Sequence, residues 1–422
     1  MAGSDLPELG ALRRAPATGV AQVIVDAIKL GYAPGHPDWS NLGPAHPEAG
    51  PIEGDSERLA EMPIEVDDYA YAPPGGLPLL RERIAEWVNR TARQGKTSQY
   101  GPENVVVGPG VRPSLGRALA SLDAVPIGYV CPDCAYFEDL LEPHVGRTTP
   151  VVLRTDPSDG FQLRLDAVER TVRDAGLGAL LLSNPNNPSG TVVAGKRLER
   201  LVGMSREQHC TLLIDEAYAP YALSKEGELM EAPLAAAAYV EDVERDPVLI
   251  FDGLSMRHRA PGWRVGWAIG PSAMVAELAR TGAALDGGAS RLAQAAASAV
   301  LDGDRLDAEL TATATHFAKK RALAVKRLTE LGLKVLDTSR TSFFVWADLS
   351  ELPEPFDESL ALYKRCLQNR VITVPGEAFD VDPGRRRRGD SPYHSWMRFS
   401  LGPSLDNLRM GLDRLSKAIR EA

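Results

Sequence analysis

The sequence predicts an α/β protein in which helices cover a mostly parallel sheet, joined to a smaller α/β unit near the C-terminus. Three observations carry that prediction. From Asn104 onward, short apolar runs alternate with helical stretches. The runs are apolar at consecutive positions, as strands buried on both faces must be, whereas a strand with one wet face alternates. After Ala289 the alternation gives way to long helical stretches, which marks a second unit. A chain of 422 residues is also too long for a single simple core.

Taken in order, strands are expected at Val105 to Val107, Ile127 to Val130, Pro150 to Leu153, Ala179 to Leu182, Thr211 to Ile214, Val248 to Phe251 and Val265 to Ile269. Amphipathic helices fall between or before them, at Leu77 to Thr91 after the Pro73-Pro74-Gly75-Gly76 turn, at Leu165 to Ala175 and at Arg197 to Glu207. The second unit should hold helices at Leu292 to Leu301, Arg305 to Leu331 and Glu358 to Gln368, with a closing helix from Leu405 to Ile419. Its strands should be Ser342 to Trp346, one near Val371 to Val374, and Met397 to Leu401. Residues 1–60 are rich in Pro, Gly and Asp and predict an extended arm. The organisation expected is an arm over 1–60, a large domain over 61–300 and a small domain over 301–422.

Composition narrows the function. Hydrophobic residues make up 44% and charged ones 25%, with a net charge of −10. This balance speaks against a general nucleic-acid binder, which needs a basic face. No stretch is long and apolar enough to span a membrane. Met1 to Arg14 lacks a basic stretch followed by an apolar one, so no secretory signal is expected and a cytoplasmic location is. Arg385 to Arg388 form a basic block between Gly384 and Gly389; it reads either as a solvated loop or as an anion clamp beside a site. Cys131 and Cys134 form one C-x-x-C, Cys210 and Cys366 are isolated, and the seven histidines show no ligand spacing. Reduced structural thiols and no metal are therefore expected.

The chemistry sits in loops that follow the strands. Ser183-Asn184-Pro185-Asn186-Asn187-Pro188-Ser189-Gly190 presents amide side chains on a chain turned by two X-Pro steps. Ile214-Asp215-Glu216-Ala217-Tyr218 puts a carboxylate at a buried strand end, where it needs a cationic partner. Gly108-Pro109-Gly110-Val111-Arg112 joins a strand to a helix whose free N–H groups favour an anion. Gly253-Leu254-Ser255-Met256 and, further on, Trp263-Arg264-Val265-Gly266 bring a guanidinium suited to bidentate phosphate binding.

In this order the motifs resemble those of the class I/II aminotransferases, pyridoxal-phosphate enzymes of fold type I. The resemblance implies a large domain with a mostly parallel seven-stranded sheet holding pyridoxal 5'-phosphate, and a small domain completed by the N-terminal arm. Asn187 and Tyr218 would donate to the cofactor's phenolic oxygen, and Asp215 would keep its pyridine nitrogen protonated. Gly110, Val111, Arg112 and Arg264 would hold its phosphate, and Ser255 would also contact the cofactor. Arg398, in Trp396-Met397-Arg398-Phe399-Ser400, resembles the arginine that grips the α-carboxylate of an amino-acid substrate, with Asn187 and the Asn41-Leu42-Gly43 loop beside it. Tyr71 resembles a tyrosine that crosses a homodimer interface to the neighbour's phosphate.

Two positions depart from the pattern. The family's ring-stacking aromatic aligns with Cys134, leaving Tyr136 or Phe137 as substitutes. Met256 stands at the position of the Schiff-base lysine, and a thioether can neither form an imine nor move a proton. Lys225 has the wrong spacing to replace it. Met256 reads as a Lys→Met substitution that traps a cofactor–substrate adduct, or as a natural lysine-free homologue, either a binding protein or an enzyme that uses another base. The activity implied is amino-acid transamination; an alternative is elimination, replacement or cyclisation through the same Cα carbanion.

Overall fold

The structure is a computed structural model describing residues 19–43, 46–224, 226–230 and 234–421, apart from the side chain of Asp304. Met1 to Arg14 and Lys225 lie outside the described residues. In chain order the strands are β1 (Ser40–Asn41), β2 (Val105–Gly108), β3 (Pro126–Cys131), β4 (Thr149–Arg154), β5 (Ala179–Ser183), β6 (Thr211–Asp215) and β7 (Val248–Gly253). They continue as β8 (Gly266–Ile269), β9 (Lys334–Val335), β10 (Phe344–Asp348), β11 (Val371–Ile372), β12 (Val374–Pro375) and β13 (Trp396–Ser400). The helices are α1 (Gly19–Lys29), α2 (Pro78–Ala92), α3 (Val111–Ser121), α4 (Tyr136–Leu141), α5 (Leu165–Ala175) and α6 (Lys196–Glu207). They continue as α7 (Leu254–Arg257), α8 (Ser272–Leu285), α9 (Arg291–Val300), α10 (Gly303–Glu330), α11 (Ser359–Gln368) and α12 (Leu405–Arg420).

Seven strands form the large sheet in the order β2-β8-β7-β6-β5-β3-β4. Pairing is parallel from β7 to β4, and β8 runs antiparallel to both β2 and β7. Successive strand residues feed two different cores. Leu181, Leu213, Leu249 and Phe251 pack in one, while Leu180, Leu182, Leu212 and Ile214 pack in the other. This two-sided burial explains why the strands read as continuous apolar runs. The register pairs Ser183 with Asp215 and Asp215 with Phe251, so the loops after β3, β5, β6 and β7 leave along one edge. The same edge receives the turn after β2 and the start of β8, because Gly266 pairs with both Gly108 and Gly253. Ligands of such sheets bind at this edge.

The second unit is a four-stranded antiparallel sheet in the order β12-β13-β10-β9 with α10 and α11 packed on it and α12 packed on those helices and on β1 and β11. β1 pairs in parallel with β11, which ties the N-terminal arm to this unit. Where an extended arm was expected, Gly19–Lys29 form a helix. Val23 and Ala27, four residues apart, are its buried anchors, and the helix packs against 371–379. The unforeseen α8 is rich in Ala and Gly; it packs on α3, and at Gly282 a Cβ would sit 2.3 Å from the guanidinium carbon of Arg117. No helix among the described residues is long and apolar enough to cross a membrane.

Candidate active site

A cavity of ≈ 610 Å³ opens at the carboxyl edge of the large sheet. Its lining brings together Val111, Arg112, Tyr136, Asn187, Asp215, Tyr218, Ser255, Met256, Arg264 and Arg398, residues that the sequence offered from six separate segments.

At one end lies the N-terminus of α3. Gly110 precedes it with φ +104, and a Cβ there would come within 2.4 Å of Arg264 Nη2. A Cβ at Gly266 would lie 2.6 Å from the Val111 nitrogen. These two glycines therefore let the turn, the strand and the guanidinium close on one spot. Arg264 takes the left-handed conformation (φ 56, ψ 46) and donates from Nη2 to Pro109 O and from Nη1 to Pro261 O, both at 3.1 Å. Among the described residues neither Arg112 nor Arg264 forms an ion pair. Burial first, then the charge of Arg112, lowers the Arg264 pKa. Two guanidiniums and a helix N-terminus at one end of the cavity are the kind of arrangement that favours an anion.

Asp215 ends β6 and is 1% exposed. Its Oδ1 accepts from Ala217 N at 3.0 Å, and its Oδ2 accepts from the Tyr136 hydroxyl. No cation among the described residues pairs with it, and burial pushes its carboxyl up to about 6. Tyr136 begins α4, and Arg112 lies 4.6 Å over its ring. Burial raises the Tyr136 phenol well above its ordinary value. Cys134 does not face the cavity; it is fully buried, and its Sγ accepts from Asn187 Nδ2 at 3.4 Å. Tyr136 is thus the aromatic that the structure places against the carboxylate.

At the other end, Arg398 leaves β13 and is 1% exposed. It donates from Nη1 to Asn187 Oδ1 at 2.7 Å and from Nη2 to Gly43 O at 2.6 Å. Its Nε is buried without a partner, it faces no carboxylate among the described residues, and burial brings its pKa down to about 10. Such a cation awaits an anion. Gly43 is required at its place because a Cβ there would lie 2.7 Å from Ile372 Cγ2.

Between the ends sits Met256, 9% exposed, on the four-residue α7. The Tyr221 hydroxyl donates to its carbonyl at 3.0 Å, fixing the backbone of that turn. Tyr218 packs its ring on Phe343 and Phe344. Tyr71 is not in this cavity; it is 92% exposed. Sequence reasoning missed the contributions of Val20, Ala21, Ile24, His46 and Phe379 to the lining. The periodic Val20, Val23, Ile24 and Ala27 of α1 were the available signal. The Arg block is partly pinned: Arg387 pairs with Asp380 at 2.6 Å and Asp382 at 3.1 Å, while Arg385, Arg386 and Arg388 are exposed. All four cysteines are buried and unpaired.

A family profile for aminotransferase class I and II matches residues 64–415. The chain belongs to this family. Aminotransferases of the family depend on pyridoxal 5'-phosphate, and the chain is by descent a transferase of that kind. A bifunctional aspartate aminotransferase and glutamate/aspartate-prephenate aminotransferase of Petunia hybrida is 26% identical over 96% of this chain and 78% of its own length. An aspartate/prephenate aminotransferase of Thermus thermophilus is 28% identical over 83% of this chain and 84% of its own. Among solved structures, N-succinyldiaminopimelate aminotransferase from Mycobacterium tuberculosis superposes with a TM-score of 0.77 at 23% identity, covering 95% of this chain and 97% of that one. Aspartate aminotransferase from Thermus thermophilus with maleate gives 0.76 at 22% identity, covering 96% and 97%. These structures share the fold. The residues present fit the family's cofactor: Gly110 leaves room for Arg264 beside the N-terminus of α3, where a phosphate could bind, and Asp215 is a buried carboxylate with no ion-pair partner among the described residues.

Proposed function

We propose that the cavity binds pyridoxal 5'-phosphate together with an amino-acid substrate, and that the chain, with methionine at 256, binds both but does not turn over. One observation carries this reading. Arginines stand at both ends of the cavity, Arg264 at one and Arg398 at the other, with the buried carboxylate of Asp215 between them, while the position facing them holds a thioether. In this proposal Arg264, Ser255 and the N–H groups of Gly110, Val111 and Arg112 hold the phosphate. Asp215 pairs with the pyridine nitrogen and holds its proton, which requires the Tyr136 hydroxyl to release Oδ2. Tyr136 then stands beside the ring, and Asn187 and Tyr218 donate to the phenolic oxygen. Arg398 takes the α-carboxylate in bidentate fashion and so orients Cα, with Asn187 and Gly43 keeping the guanidinium in place.

When bound, the cofactor supplies an electron sink for charge developing at Cα. Moving the Cα proton requires a base at 256, and Met256 has no lone pair basic enough to accept it. We read Met256 as replacing a lysine in an otherwise complete transaminase site. The alternative chemistries gain nothing from the structure, since Cys134 is sealed in the core and Arg387 is held by its own loop. The active unit proposed is a homodimer. Ile64, Val66, Tyr69 and Tyr71, large hydrophobic side chains along one stretch, are 62% to 92% exposed, and clustered exposure of that kind marks an interaction surface. The proposed division is a cofactor-holding domain over 61–300 and a small domain over 301–422 that receives the arm, supported by the β1–β11 pairing.

The test compares the parent chain with Met256→Lys, each loaded with pyridoxal phosphate and offered an amino acid and a keto acid. Amino exchange is expected from the lysine form alone. An inactive lysine form that still binds cofactor would instead indicate a binding protein.

A further inference from the structure

Of the four arginines at 385–388, one is built into the fold. Arg385, Arg386 and Arg388 are exposed, whereas the side chain of Arg387 is 26% exposed. Its guanidinium donates to Asp380 Oδ1 at 2.6 Å, to Asp380 O at 3.0 Å and to Val381 O at 2.6 Å, and pairs with Asp382 Oδ1 at 3.1 Å. Its backbone N–H donates to Asp382 Oδ2 at 3.0 Å, so this one residue closes the loop on itself. Asp380 Oδ1 also accepts from Arg154 Nη2 on β4 at 3.3 Å and from Cys131 Sγ on β3 at 3.4 Å, which fixes the loop to the large sheet.

The braced loop grips α4. Asp382 N donates to Glu138 Oε2 at 3.0 Å, and Gly384 N donates to Glu142 Oε2. These carboxylates are four residues apart, one within α4 and one just after it, and so share a face. Phe137 and Leu141 are buried on the adjoining face. Apolar burial is non-directional and leaves a short helix some freedom to rotate, whereas hydrogen bonds to fixed amides set its angle. That angle aims Tyr136, at the start of α4, whose hydroxyl donates to Asp215 Oδ2.

Resting on the function proposed above, we infer that Arg387 is a positioning residue for the cofactor site. By bracing loop 380–388 it holds the two amides that fix α4, and through α4 the Tyr136 ring that stands beside bound pyridoxal phosphate. The basic block is thus neither a uniformly solvated loop nor an anion clamp; its third arginine is a strut between the C-terminal unit and the cavity.

The experiment measures hydrogen exchange of the α4 amides in the parent chain, Arg387→Met and Arg388→Met, and titrates each with pyridoxal phosphate, with and without Tyr136→Ala. Arg388→Met removes the same charge from an exposed position and is the control. Arg387→Met is expected to speed exchange across 137–142 about tenfold and to weaken cofactor binding about tenfold, and Arg388→Met to do neither. With Tyr136→Ala already present, Arg387→Met should cost no further affinity, a non-additivity that a general loss of stability would not produce. Should Arg387→Met fail to fold, Glu138→Met cuts the same link from the helix side and carries the same expectations. Unchanged exchange in α4, or an affinity loss that persists in full beside Tyr136→Ala, overturns the inference alone. A parent chain that does not bind pyridoxal phosphate overturns the functional reading beneath it, and the exchange result then decides by itself whether Arg387 holds α4.

Discussion

The two ends of the cavity and its middle are built to different standards. At the ends, Arg264 and Arg398 are positioned by backbone carbonyls and by glycines that no other residue could replace without collision. In the middle, Met256 lines the cavity with a thioether, which has no group able to form an imine or accept a proton. On the function proposed, the contrast separates ligand binding from proton transfer. The first resides in turns and strand ends spread over the chain, the second in one side chain.

The largest expected effect comes from restoring the middle. Met256→Lys should raise amino exchange about 10²–10⁴-fold over the parent, the range of a positioned general base, measured as keto-acid-dependent product formation. Damaging one end should cost binding and leave the other end intact. Arg398→Ala strands Asn187 Oδ1 and Gly43 O and should weaken carboxylate binding by about 3 kcal/mol, with cofactor affinity unchanged by titration.

Asp215 gives a pH signature in the cofactor-free chain. Its folded pKa, about 6, lies above the ordinary 3.8, so its stabilising share is full below pH 3.8 and is lost as pH rises through about 6. By pH 8 that loss amounts to about 3 kcal/mol at 1.36 kcal/mol per unit. Asp215→Asn should therefore gain about that much over the parent between pH 4 and pH 8 in denaturant melts, while binding the cofactor less well. Gly110→Ala should cost about 1–3 kcal/mol, because alanine is strained at φ +104, and should weaken phosphate binding in the same variant. Replacing Arg385, Arg386 and Arg388 with serine should change stability by no more than about 0.5 kcal/mol and leave cofactor affinity alone.

Much of the fold was legible in the sequence because the large sheet is buried on both faces. Continuous apolar runs such as Leu180 to Leu182 and Leu212 to Ile214, short and set between helical stretches, suit a strand covered on both sides, and each motif follows directly from a strand end. The α1 helix was not legible. Its apolar positions span only three turns between Pro- and Gly-rich flanks, and its burial depends on residues 371–379, distant in sequence. The arrangement at Tyr136 was half legible. The sequence showed an aromatic displaced from its usual place, but only the packing of α4 reveals that its hydroxyl meets Asp215. Exposure at Tyr71 likewise requires the fold.

The most direct test is titration of the parent chain with pyridoxal phosphate, followed by borohydride reduction and peptide mapping across residues 253–264. Saturable binding of one cofactor per chain is expected, without a reduced adduct in that peptide, whereas Met256→Lys should carry the adduct at position 256. A chain that fails to bind pyridoxal phosphate would contradict the central claim that an intact cofactor site surrounds Met256.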